Sequence, residues 1–277
     1  MDYFNTLEEV LLTSEPKNKI EKFNRFYEKF LNNKYTINDS YEPCELIQPA
    51  YSTFLEIVKP TSLPKIKNFN TDEGKRYLIH TILHIEYSAV DLALDAALRF
   101  KDLPKKYYED WLEVANDEIR HFLMLEKLLN ELDGKYGDFP VHKNLFEALQ
   151  DTPTFLRRMA AVPRYLEANG LDQNPKIMEK LKSNNDPFNR KILKVLETIL
   201  EEEVDHVRKG DIWYKYACDL ENLDYDSTYL EIIEDVYPGS TKRKMDLNFE
   251  ARKQAGFSCD ILKVLSKKSD CKWLHQI

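Results

Sequence analysis

Glycine is scarce in this 277-residue chain, with only 7, and together with abundant Lys, Glu and Leu that scarcity leans towards helix. Paired cysteines are missing as well. Cys44, Cys218, Cys259 and Cys271 form no Cys-x-x-Cys motif, which argues against a thiolate zinc site or a disulfide framework and leaves buried or idle thiols as the expectation. No stretch approaches the run of about eighteen apolar residues that a membrane-crossing helix needs, and the start "MDYFNTLEEVLL" lacks the basic-then-apolar layout of a secretion signal. Nor is there an excess of positive charge. The formal charge of −8 gives no general electrostatic reason to bind nucleic acid or anionic membrane, and the local basic stretch "STKRKMD" reads as a solvated loop. A soluble, cytoplasmic protein with no membrane partner is the expectation. No repeat of solenoid length and no low-complexity tract interrupts the chain.

What is present is helical periodicity, strong in the middle and weaker at both ends. Residues 1–33 suggest two short helices, the second opening at "SEPKNKIEKF", where Ser14 can cap and Pro16 suits a first turn. Pro43, Pro49, Pro60 and Pro64 forbid a long helix between about 35 and 70 and suggest a segment wrapped over something else. Four amphipathic segments follow, predicted over Thr71 to Phe100, Pro104 to Leu132, residues 144–169 with a stop at Gly170, and a fourth opening at Asp186-Pro187. After residue 220 one short helix is predicted near 227–236. The expected organisation is an N-terminal extension over 1–70, a four-helix domain over 71–220 and a C-terminal extension over 221–277.

In each of the four segments a carboxylate occupies a position where periodicity calls for an apolar side chain. On the first, Glu86 stands among Ile79, Ile82, Leu83, Ala89 and Val90; on the second, Glu118 and His121 stand among Val114, Ala115, Phe122 and Leu125. On the third, Glu167 follows Met159, Ala160 and Leu166; on the fourth, Glu203 and His206 interrupt Leu196, Ile199 and Trp213. Burying unpaired carboxylates costs several kcal/mol each or forces protonation, and cations at the centre remove that penalty. A bundle holding a di-iron or di-manganese pair needs one Glu from each of two helices and a Glu-x-x-His from each of the other two, all facing inward. The order along this chain is single, pair, single, pair. One Glu-x-x-His is expected on the order of once by chance in a chain this long; two on apolar faces, alternating with two inward glutamates, are not.

Some alternatives remain open at this level. Asp91 competes with Glu86, although it shares a polar stripe with His84, Ser88 and Asp95, and Glu202 competes with Glu203, although the spacing to His206 selects the latter. His80 and His84 read as structural histidines or supports around the metals, His142 and His275 as loop or surface residues. Asp205 could orient an imidazole or simply be exposed. Pro163, four residues before Glu167, should bend or break the third helix, and there we look for substrate access. Tyr77, Tyr165 and Tyr214 are candidate pocket residues, with a core or rim role the plainer reading.

The stretches "HIEYSAVDLALDAALRF" (84–100), "YYEDWLEVANDEIRHFLMLEKLL" (107–129), "GKYGDFPVH" (134–142), "RMAAVPRYLEANGLDQNP" (158–175), "ILEEEVDHVRKGDIWYKYAC" (199–218) and "LNFEARKQAGF" (247–257) resemble an uncharacterised ferritin-like family, a domain of unknown function, over most of the chain. More distantly the chain is similar to the di-iron enzyme that hydroxylates a modified adenosine in tRNA. The resemblance implies an all-α, ferritin-like four-helix bundle with a carboxylate-bridged di-metal centre, and it supports Glu167 as the third-helix ligand. One departure is Asp91, where the family often has glutamate.

The function expected on these grounds is a di-iron carboxylate oxidoreductase, an oxidase or monooxygenase that activates dioxygen. The metal ligands are Glu86, Glu118, His121, Glu167, Glu203 and His206, with His84, Asp91, Asp205 and Tyr165 as supporting residues. Two iron ions are the expected cofactor, with manganese or a mixed pair as variants. A small-molecule or modified-nucleoside substrate and an electron donor are the expected partners, and an oligomer is compatible with the sequence. The alternative is an iron-handling, ferroxidase or peroxide-detoxifying protein, against which the long extensions argue because storage shells need compact subunits.

Overall fold

The computed structural model describes residues 2–37, 40–66, 68–183 and 186–267. Cys271 and His275 lie outside the described residues. All regular structure among them is helical, with three isolated parallel bridges and no strand. No helix among the described residues is long and apolar enough to cross a membrane. The chain divides into two compact units, residues 1–147 and 148–277.

The first unit is built on helices α3 (Asp72–Arg99) and α4 (Lys105–Asn130). Thr71 caps α3 by accepting the Gly74 N–H, and Asp72 and Glu73 place negative charge against the positive end of the helix dipole. The two helices run antiparallel: the Tyr107 hydroxyl donates to the Ala96 carbonyl near the connection, and His121 meets Glu86 further along. α1 (Tyr3–Leu11) seats Tyr3, Phe4 and Leu7 in the core, where the Tyr3 hydroxyl reaches the Ala97 carbonyl. α2 (Pro16–Leu31) opens on proline as expected, but its cap position is Glu15, without a side-chain bond, and not Ser14. The proline-bearing segment forms two short 3-10 turns, Ala50–Thr53 and Pro60–Ser62, and lays the Tyr51 ring edge-on against His84.

The second unit departs from the sequence expectation in its first half. In place of one helix over 144–169 there are α5 (Asn144–Asp151), which crosses the unit boundary, α6 (Phe155–Ala161), a π-helical turn over Val162–Glu167, and α7 (Ala168–Lys182). Pro153 ends α5 by disfavouring helical backbone at Thr152, and Thr154 then caps α6. Pro163 neither breaks nor merely bends the run, because the widened turn absorbs it. Gly170 does not stop the helix and lies inside α7, as does Pro175. α8 (Pro187–Glu221) begins as expected, with Asp186 accepting the Phe188 N–H and Pro187 in the first turn, and ends where Asn222 turns left-handed at φ 55°. α9 (Tyr225–Val236), α10 (Phe249–Gln254) and α11 (Cys259–Leu265) complete the unit. The last two are too short for periodicity to signal. Cys44 and Cys218 are free thiols, half-buried and buried.

Candidate metal centre

In the first unit α3 is buried along most of its length, and Glu86 on it is only 5% exposed. α4 supplies Glu118 and His121 one turn apart on its inward face, at 1% and 0% exposure. His121 Nδ1 lies 3.0 Å from Glu86 Oε2 and 3.5 Å from Glu118 Oε2, and ligand atoms of all three residues fall within 4.8 Å of one another. Burial works against a charged His121, but hydrogen bonds and charge from Glu118 and Glu86 outweigh it and raise the imidazole to about 11. The cluster therefore attracts positive charge strongly enough to hold a proton on a buried histidine. A divalent cation would satisfy the same demand with more charge.

Beside His121 and Glu86 in sequence, Phe122 and Tyr87 belong to a separate aromatic group. Phe122 packs 5.1 Å from Tyr87 and 5.6 Å from Tyr136. The Tyr136 hydroxyl lies 2.8 Å from His84 Nδ1, and His84 Nε2 lies 2.8 Å from the His142 carbonyl. A carbonyl can only accept, so Nε2 carries the proton and Nδ1 accepts from the tyrosine. Burial, only partly countered by that carbonyl, pushes His84 down to about 4. Asp91 is tied to the buried Lys19, whose ammonium also reaches the Leu11 carbonyl at 3.0 Å. The rival to Glu86 is thus engaged in an ion pair. His80 accepts the Gly137 N–H, and Tyr77 donates to the Pro64 carbonyl.

In the second unit Glu203 and His206 share the buried face of α8, with 3.5 Å between Oε1 and Nδ1. Glu202 is half-buried and Glu201 exposed. Glu167 closes the π-helical turn and is half-buried. Its level follows from neighbouring contacts: Phe155 meets Tyr216, Pro163 abuts Gly210, and Asn189 reaches the Leu181 carbonyl. These contacts describe antiparallel packing on α8 and put Glu167 about level with His206. Asp205 pairs with Arg208 and Lys209 of its own helix, whose hydrogen bonds overcome the effect of burial and hold its carboxyl below the usual range. Tyr165 stacks on Tyr237 at 5.0 Å, and the Tyr214 hydroxyl donates to the Tyr225 carbonyl. Sequence reasoning did not single out Tyr136 or the buried arginines of this unit; no periodic signal marks them.

Fold and site together define an all-helical protein with a buried glutamate and histidine cluster that could bind a metal ion. The chain belongs to the family described as "Protein of unknown function (DUF455)", whose model matches residues 12–263. It is 33% identical over 290 residues to an uncharacterised protein of Haemophilus influenzae, covering 99% of this chain and 94% of that relative. No solved structure matches it.

Proposed function

We propose that this protein is a di-iron carboxylate oxidoreductase that uses dioxygen to oxidise an organic substrate. One observation carries the reading: Glu86, Glu118 and His121 are almost wholly buried with ligand atoms within 4.8 Å of one another, and α8 repeats the same Glu-x-x-His on a buried face. In this reading Glu203, His206 and Glu167 join the three residues of the first unit in a six-ligand centre. α3, α4, the α6–α7 run and α8 would then form the ferritin-like four-helix bundle.

The donor set fits iron, or manganese as the variant, because carboxylate oxygens and imidazole nitrogens in this ratio suit both. Bound iron would supply the electron steps that dioxygen chemistry requires. The chain's own contribution is more specific. His121 and His206 would each hold one metal, and because an imidazole ligand must be neutral, loading would be accompanied by proton release. The near-complete burial of Glu86, Glu118 and His121 would keep water from the first unit's ligands. The substrate in this reading is a small molecule or modified nucleoside, with an external electron donor.

The test is metal content. Purified protein should carry close to two iron or manganese ions per chain, and the reduced iron form exposed to oxygen should develop the absorption of a carboxylate-bridged ferric pair. Absence of bound metal after anaerobic loading would remove the reading. Glu118→Gln separates it from a purely structural ion pair. In a metal centre the change lowers loading but leaves the metal-free protein as stable or more so by about 1 kcal/mol, since one buried charge is gone while Glu86 still pairs with His121. A purely structural pair would take up no metal in either protein.

A further inference from the structure

Three residues before Glu167, the π-helical turn carries Arg164, a guanidinium with 1% exposure. Its Nε donates to Asp211 Oδ1 of α8 at 2.8 Å. Its charged carbon lies 4.8 Å from the Tyr214 ring centre, 4.2 Å from Tyr229 and 4.8 Å from Phe257. The backbone carbonyl of Arg164 is held as well, by the Tyr229 hydroxyl at 3.1 Å. Asp211 accepts a second bond from Lys215 at 2.7 Å. Gly256 passes so near, at φ 99°, that a Cβ there would lie 2.2 Å from Asp211 Oδ2. Five residues beyond Glu167, Asp172 is bound by Arg252 of α10 through Nε at 3.1 Å and Nη2 at 2.7 Å. Glu167 stands between two buried charge pairs.

Stability is a weak reason for such pairs, because well-packed apolar residues of similar volume do as well or better. Their geometry supplies something else. A π-helical turn contains one residue more than an α-helical turn, and one residue of helix corresponds to about 100° of rotation. Whether the widened turn forms at 162–167 therefore decides which way Glu167 faces. Pro163 favours it and the Arg164–Asp211 bond registers it on α8.

We propose that Arg164 is a positioning residue for the metal centre: paired with Asp211, it fixes the widened turn in the register that brings Glu167 to Glu203 and His206. The inference rests on the metal-centre reading given above.

Its test is the double variant Arg164→Gln/Asp211→Asn, which removes both charges without leaving one buried alone. Leu262→Ala, in the fully buried core of α11, serves as a comparably destabilised control. Each protein is titrated with Mn(II) and examined by paramagnetic resonance. The wild type and Leu262→Ala are expected to bind two ions with the signal of a coupled pair. The double variant is expected to bind its weaker ion about ten- to a hundredfold less tightly and to show an isolated-ion spectrum at one equivalent. Two tightly bound ions with the wild-type spectrum in the double variant would overturn the positioning role and leave the metal centre standing. A wild type that takes up no metal would instead remove the centre itself. Should the double variant not fold, Tyr229→Phe, which deletes the hydrogen bond to the Arg164 carbonyl, takes its place with the same expected direction and the same overturning result.

Discussion

His80 packs against the rings of Tyr136 and Phe139, 5.5 and 5.4 Å between centroids, and its Nε2 accepts the Gly137 N–H at 3.0 Å. An accepting nitrogen cannot also carry a proton. Burial lowers the imidazole from 6.5 to about 4, against a weaker upward pull from Asp138. In acid the unfolded chain therefore takes up a proton before the folded one does. The stability that neutral His80 allows is intact above the unfolded value and is lost as pH falls through the folded one. Between pH 7 and 4.5 this site alone should cost about 2 kcal/mol. His80→Gln can accept the same N–H through its amide oxygen without titrating, so its denaturant midpoint should fall less over that interval. Equal falls in both proteins would mean that His80 does not carry the acid sensitivity. Legibility in sequence divides along similar lines. Glu118 and His121 were readable because a polar pair three apart on an apolar face is a local signal. The engagement of Asp91 was not, because Lys19, which settles it, lies 72 residues away and shares no pattern with it. Asp205, which could orient an imidazole or be exposed, pairs with Arg208 and Lys209 three and four residues on, and Tyr165 stacks on Tyr237.

Among the elements, helix starts with a capping residue were the most legible, as at Thr71 and Asp186. The α6–α7 run was the least, because proline and glycine are read locally as breakers while packing decides whether they break anything. Gly210 explains how Pro163 is accommodated. A Cβ at Gly210 would lie 2.4 Å from Pro163 Cβ and 2.6 Å from its Cγ, so the 35-residue α8 carries a glycine where the proline ring presses against it. Gly→Ala inside a helix ordinarily stabilises by about 0.5–1 kcal/mol. At this position Gly210→Ala is expected to destabilise instead, by about 1–3 kcal/mol, because overpacking must shift the widened turn or α8. Adding Pro163→Gly removes both colliding atoms, Cβ and Cγ, and should recover part of the loss. Thermal unfolding of the two singles and the double gives the coupling between them. Additive effects would mean that the two residues do not press on each other.

For the whole molecule, the helical class was legible from composition and periodicity, because both are summed over many residues. The partition into units at 147 and 148 was not, because it depends on which segments contact each other and not on their individual character. The distribution of buried charge at this scale leads to a prediction about metal. Glu86, Glu118, His121, Glu203 and His206 are all buried, which places more carboxylate than imidazole in the interior. A cation that binds the folded chain and not the unfolded one stabilises it by about 2.7 kcal/mol at a hundred times its dissociation constant. In a protein of this size each kcal/mol corresponds to roughly 2–4 °C in midpoint, so saturating Fe(II) or Mn(II) should raise Tm by about 5–10 °C, and a chelator should reverse it. The proposed ligand set adds a spatial condition. If Glu203 and His206 hold metal alongside Glu118 and His121, hydrogen exchange on loading should slow in both α8 and α4. Slowing confined to α4 would restrict the metal to the three residues of the first unit. An unchanged midpoint and unchanged exchange in both helices would leave the buried carboxylates to be neutralised by protons alone.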